Sequence, residues 1–370
     1  MRRRLLGACL AAAALAFGCA ADKPKPAKLT DFIPSIKGSQ VWSARVAGVH
    51  FPIQPTARDG VFYVGGDDGS VLALDAQTGA VRWHAKAGAA LAAGVGSDGR
   101  FASVVTTDNE LVTFDRGREI WHKRLESGAA TAPYVAGERV FLMTIDRAVY
   151  GFDAHDGQRL WALQRPGDPL TLEQGGVLGS FRNSLLVGQG PRLAAVDPLR
   201  GTVQWEVALA SPRGANEVER LADLVGPALV LGDRICARAF QAGVGCANAA
   251  SGELVWSRKA GGTQAVGGNA ERLFGADASD RISAWRTRDG EPLWTSDKLL
   301  YRGLGGALAT GRSVVFGDSQ GYVHFLAQSD GELQLRLPTD GSAVVGTPVQ
   351  SGSTILVVTR KGGLFAFRIS

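Results

Sequence analysis

Five histidines, His50, His84, His122, His155 and His324, are scattered through 370 residues and form no cluster. A metal centre or a triad base needs such side chains set beside carboxylates or thiols at characteristic intervals, which they lack here. Residues 317–321 read GDSQG, the pattern of a nucleophile elbow with Ser319 as the attacking hydroxyl. That elbow is a strand-to-helix turn, whereas this segment aligns with GGDDG at 65–69 between two strand-like runs. Gly94, Gly96 and Gly99 spell G-x-G-x-x-G, which cradles a pyrophosphate only when a helix follows. Here the strand-like RFASVV follows. We therefore assign no catalytic residue, no metal ligand and no cofactor.

The remaining side-chain chemistry belongs to cysteine. The chain opens MRRRLLGACLAAAALAFGC: three arginines, an apolar run from Leu5 to Phe17, Gly18, then Cys19. The run is too short to span a bilayer and has the layout of a secretion signal. A cleavable segment ending in Cys resembles the bacterial lipoprotein signal, although Ala16 and Phe17 stand where Leu and a small residue are usual. The resemblance implies residues 1–18 as signal peptide and Cys19 as the acylated N-terminus. Ala20 in place of Asp then favours the outer membrane. Residues 19–40, rich in Pro and Lys, read as the lipidated Cys and a mobile tether reaching about 60 Å when stretched. Cys236 and Cys246 flank two β-like runs about a turn near Gln241. A register centred on Gln241 sets the two sulfurs opposite each other, as a disulfide that export permits or as buried thiols.

Charge excludes one class of partner. Without Arg2, Arg3 and Arg4, the 40 basic residues fall to 37 against 35 acidic ones. No Lys/Arg run with interleaved aromatics appears, so there is no footprint for nucleic acid.

The residues just considered must be positioned by a repeat. AQTGAVRW at 76–83 places Gly79 four residues before Trp83, and the same phase returns at Gly117/Trp121, Gly157/Trp161, Gly201/Trp205, Gly252/Trp256 and Gly290/Trp294, with Gly331/Leu335 as a variant. From Trp83 the successive periods are 38, 40, 44, 51, 38 and 41 residues. One unit, GVFYVGGDDGSVLALDAQTGAVRW, holds three strand-like runs separated by strong turn signals. Units of about 40 residues with several strands and no helix specify propeller blades. The last unit, TILVVTRKGGLFAFRIS, lacks its final strand, while Trp42 lies 41 residues before Trp83. Pairing the N-terminal strand with the last unit predicts an all-β fold over 41–370: an eight-bladed β-propeller of four-stranded antiparallel blades closed by its two chain ends. In this ring the Trp series is structural, each ring packing between adjacent blades.

Function is best sought where the repeat is broken. Between an outer-strand Trp and the next blade most connections take 14–18 residues, but about 21 follow Trp161 and about 27 follow Trp205. Equal phase in neighbouring blades predicts that both emerge side by side on one face. Leu170 and Leu172 alternate with polar residues in a Pro-flanked loop, and Arg220, Leu221 and Asp223 offer a donor, an apolar knob and an acceptor. That combination suits a protein interface.

The lipoprotein signal, the repeat, and the segments LTL, ERLAD and GDSQGYV together resemble the BamB family, lipoproteins of the outer-membrane β-barrel assembly (BAM) machinery. The resemblance implies a non-enzymatic scaffold at the periplasmic face of the outer membrane, binding the POTRA domains of BamA through Leu170, Leu172, Arg220, Leu221 and Asp223. It also implies help to unfolded outer-membrane proteins. Glu173 and Val225 depart from the Arg and Asp usual in the two loops. The same repeat resembles quinoprotein dehydrogenases, whose PQQ and calcium site uses an adjacent Cys pair that this chain lacks. A periplasmic quinoprotein-like enzyme or ligand-binding propeller is the alternative.

Overall fold

The computed structural model describes residues 24–164, 172, 174–211 and 221–370. Among these the chain forms eight four-stranded antiparallel sheets, arranged as the blades of a propeller. Blades 1 to 7 run over residues 56–86, 96–124, 134–164, 178–208, 224–258, 267–296 and 308–338. Blade 8 takes three strands from 344–369 and its outermost strand, Gly38–Arg45, from the front of the chain. That strand pairs with Gly363–Ile369 from Gly38↔Ile369 to Arg45↔Gly363, so the ring closes as its sequence predicts.

The alternation of each strand explains the core. Side chains on both faces of a blade meet a neighbouring blade, so the second and third strands are mostly apolar; Val61–Gly65 and Phe101–Val105 are buried along their length. The buried residues divide into clusters that each span two consecutive blades, from Trp42, Phe62 and Leu356 between blades 8 and 1 to Cys246, Trp256 and Leu273 between blades 5 and 6. The core is thus a ring of interfaces around a central channel of about 580 Å³, lined in part by Ile53, Pro133, Gly176, Pro227, Leu304 and Val345.

The repeated Gly and Trp act across those interfaces. Gly79 has φ +74, and a Cβ there would sit 2.7 Å from the ring of Trp42 in the preceding blade. Gly117 meets Trp83, Gly157 meets Trp121, Gly201 meets Trp161, Gly252 meets Trp205, Gly290 meets Trp256 and Gly331 meets Trp294 in the same way. Leu335, the variant residue, packs on Gly38. Several indoles also donate to the next blade's turn, Trp42 Nε1 to Ala76 O at 3.1 Å and Trp121 Nε1 to Ala154 O at 2.8 Å. Several of these turns are held by a leading carboxylate: Asp75 Oδ1 accepts from the amides of Gln77 and Thr78 at 3.0 Å, and Asp197 Oδ1 from those of Leu199 and Arg200 at 2.8 and 3.1 Å. The Arg82 guanidinium bonded to Asp75, together with its turn donors, lowers the Asp75 pKa to about 2.

Because strands alternate in direction, the blade-to-blade connections and the turns between second and third strands share one face, here called upper. The Asp75-type turns lie on the lower face. Residues 24–37 differ from the expected mobile tether. They lie along the outside of blade 7: Ala27 N donates to Leu300 O at 2.8 Å, Ser35 N to Gln334 O at 3.0 Å and Lys37 N to Ser370 O at 3.3 Å. Leu29 and Ile36 pack into the clusters of Val314 and Val315, and burial of those side chains explains why the segment is held. Cys19 and the signal segment lie outside the described residues.

Candidate partner-docking surface

The two long connections join blade 3 to blade 4 and blade 4 to blade 5, on the upper face. Their described parts are knitted to each other. The Leu172 amide donates to Asp223 Oδ2 at 2.9 Å, and Gly226 N donates to Gly175 O at 2.9 Å. Gly176 of the first connection also forms a bridge with Val225, at the start of the inner strand of blade 5. Backbones meet so closely that a Cβ on Gly226 would fall 2.0 Å from Gly176 O, so glycine is required there for steric reasons.

Surrounding turns fix this junction from below. Thr131 Oγ1 accepts from Gly176 N at 2.8 Å, and Gln174 Nε2 donates to Thr263 O at 2.6 Å. Leu224 N donates to Gly190 O at 2.9 Å and Phe240 N to Asp223 O at 3.0 Å. Asp223 Oδ1 lies 3.5 Å from Arg147 Nη2, with both side chains largely covered. A charged pair so placed is screened less than a surface pair. At the root of the junction lies a cavity of about 50 Å³, bordered by Met143, Ile145, Leu172, Gln174, Asp223 and Val225.

Leu172, Leu221 and Asp223, read from the sequence as partner-binding, are therefore on one face, all half-buried. The Asp223 carboxylate is engaged within the chain, where it ties Leu172 to the blade 3 turn. Leu170 and Arg220 lie outside the described residues, as does Glu173. Val225, at the place of an expected Asp, is buried in the inner strand and pairs with Arg238. Two residues of this surface escaped the sequence reading: Arg147, and Ile145, whose side chain is 46% exposed in the blade 3 turn. An apolar residue where the equivalent turns place Asp67, Thr107, Ser319 and Arg360 was the available signal for Ile145.

The remaining motifs are structural. Ser319 Oγ donates to Arg302 O at 2.7 Å within a hairpin turn, and a Cβ on Gly96 would fall 1.8 Å from Pro133 O of the next blade's approach. Cys236 and Cys246 face each other across two paired strands and are joined by a disulfide, Cα to Cα 4.1 Å. Gln241, at the centre of that hairpin, has φ +53.

Comparison with known proteins agrees with the ring of eight blades. The family described as outer membrane protein assembly factor BamB matches residues 35–90 and 67–296. The chain is 34% identical over 368 residues to the protein named outer membrane protein assembly factor BamB of Burkholderia pseudomallei, covering 98% of this chain and 97% of that one. The crystal structure of BamB from Moraxella catarrhalis superposes with a TM-score of 0.81 at 21% identity, covering 90% of this chain and 100% of that one. Quinohemoprotein alcohol dehydrogenase from Comamonas testosteroni superposes with a TM-score of 0.65 at 15% identity, covering 90% of this chain and 76% of that one, a likeness of fold alone. From the closed ring of eight blades and the sequence match along nearly its whole length, this chain belongs to the family of the outer membrane protein assembly factor BamB.

Proposed function

We propose that this chain is a non-enzymatic scaffold of the BAM complex, anchored through a lipid on Cys19 at the periplasmic face of the outer membrane. Its two long upper-face connections bind the POTRA domains of BamA, and it assists the insertion of outer-membrane proteins. The observation that carries the reading is the tie between the two connections, Leu172 N to Asp223 Oδ2, continued by Gly226 N of the blade 5 inner strand to Gly175 O. Two loops held in one geometry by a rigid ring lose little entropy on docking. Exposed outer-strand edges also suit extended, unfolded barrel segments by strand addition. The quinoprotein alternative shares the ring with this chain but not the membership by sequence.

Replacing Leu170 by Asp and Arg220 by Glu together tests the surface. The expected result is at least a tenfold loss of BamA co-purifying with the chain, at an unchanged melting temperature. Full recovery of BamA with the doubly substituted chain removes this surface from the interface.

A further inference from the structure

The strap of residues 24–37 has a direction. Its end at Lys37 meets Ser370 on the lower face, and its beginning meets Leu300 on the upper face, where the connection from blade 6 to blade 7 runs. The Ala27 carbonyl accepts from Arg302 Nη1 at 2.9 Å. Arg302 is itself buried and paired with buried Asp318, so a fixed interior cation grips the strap. Arg336 Nη1 donates to Thr30 O at 3.3 Å and its guanidinium covers the Phe32 ring at 5.1 Å. The exit point of the chain is therefore set by the body of the ring.

Chain length then limits orientation. Five residue steps separate Cys19 from Pro24, a reach of about 17 Å fully extended. The outer strand of blade 7, Leu333–Pro338, spans about 20 Å along the same direction. A surface holding Cys19 can therefore meet the upper face, while the lower face lies beyond that reach. Lys25 and Lys28 are exposed near the exit, and Tyr301, beside Leu300, is 41% exposed. Lysines attract anionic headgroups, and Tyr suits the boundary of water and hydrocarbon.

We infer that the strap is an orienting device that turns the upper rim at blades 6 and 7, around Lys25, Lys28 and Tyr301, against a lipid bilayer. The docking surface lies on the same face further round the ring, so partner and membrane approach from one side. This deepens the proposed function and rests on the lipid at Cys19.

The test uses the full chain, produced with its signal, purified and placed in vesicles of phosphatidylethanolamine and phosphatidylglycerol. Intact mass reads whether Cys19 carries lipid, and hydroxyl-radical footprinting reads side-chain access. Tyr301 is expected to be oxidised at least threefold less on vesicles than after the vesicles are dissolved in detergent, with Leu293 near the lower face unchanged. In the Ala27→Pro, Leu29→Asp chain, whose strap is released, Tyr301 loses that protection while the chain stays on the vesicles. Equal oxidation of Tyr301 in both states, or equal protection of Leu293, overturns the inference from the native chain alone. Should the mass show an unmodified Cys19, the anchor reading fails; its free thiol is then coupled to a maleimide phospholipid and the same footprint decides the orientation.

Discussion

Gly79 shows how a single residue type is demanded twice. Its φ of +74 disfavours any Cβ, and Trp42 occupies the space that a Cβ would need. Gly88 has φ +83 but nothing within 4 Å of a Cβ. Gly79→Ala is expected to cost roughly 2–4 kcal/mol, from left-handed strain plus overpacking, against about 1–2 kcal/mol for Gly88→Ala. Urea unfolding of the two variants measures the difference, and equal losses would remove the interblade contact as a cause. His324 is a second case. Buried, it bonds through Nε2 to Asp318 Oδ2 at 2.8 Å, with Arg302 on the same carboxylate. Burial lowers the His324 pKa more than Asp318 raises it. Burial would raise the Asp318 pKa, but the bonds from His324, the Tyr322 amide and Arg302 leave it lowered. A base held neutral in the fold binds its proton more readily when unfolded, so its contribution is present above a pH of about 6.5 and is lost as pH falls below it. Between pH 7 and pH 5 the native chain is expected to lose more stability than His324→Gln, read as the shift in urea midpoint; an equal shift in both refutes a role for this imidazole.

At the scale of elements, the blade 5 hairpin joins a covalent staple to the docking surface. Strands Arg234–Ala239 and Gly243–Asn248 pair with Cys236 opposite Cys246. The disulfide closes a loop spanning a sequence separation of 10, worth roughly 2–3 kcal/mol in the chain-entropy account. Cys236→Ala with Cys246→Ala should lower stability by about that amount and quicken hydrogen exchange in blade 5, measured by mass spectrometry; an unaltered exchange pattern there would show that the bridge does not brace the blade. The strap is an element that the sequence concealed. Leu29, Phe32 and Ile36 stand at i, i+3 and i+7, a helical spacing that the strap does not follow, and Pro24, Pro26 and Pro34 suggest a spacer. Its placement depends on Arg302 and Arg336, far along the chain and recognisable as partners only after folding.

For the whole molecule, closure is the central fact. An open array of sheets would expose unpaired edges at both ends, whereas Gly38–Arg45 covers the last blade and leaves a continuous ring of interfaces. Closure also makes the ring rigid enough for irregular connections to project from it with defined geometry. The phase of those connections in the repeat was enough to place both on the upper face, because alternating strands admit only two faces.

The sequence by itself determined the blade count, the closing strand and the neighbouring long connections. These follow from local periodicity and from turn chemistry, which act over a few residues. The tertiary structure alone decided that each turn glycine serves the Trp of the preceding blade, that Asp223 spends its carboxylate on Leu172 and Arg147, and that residues 24–37 are bound to blade 7. Those contacts join residues separated by tens to hundreds of positions, and their partners become defined only when the ring brings the blades together.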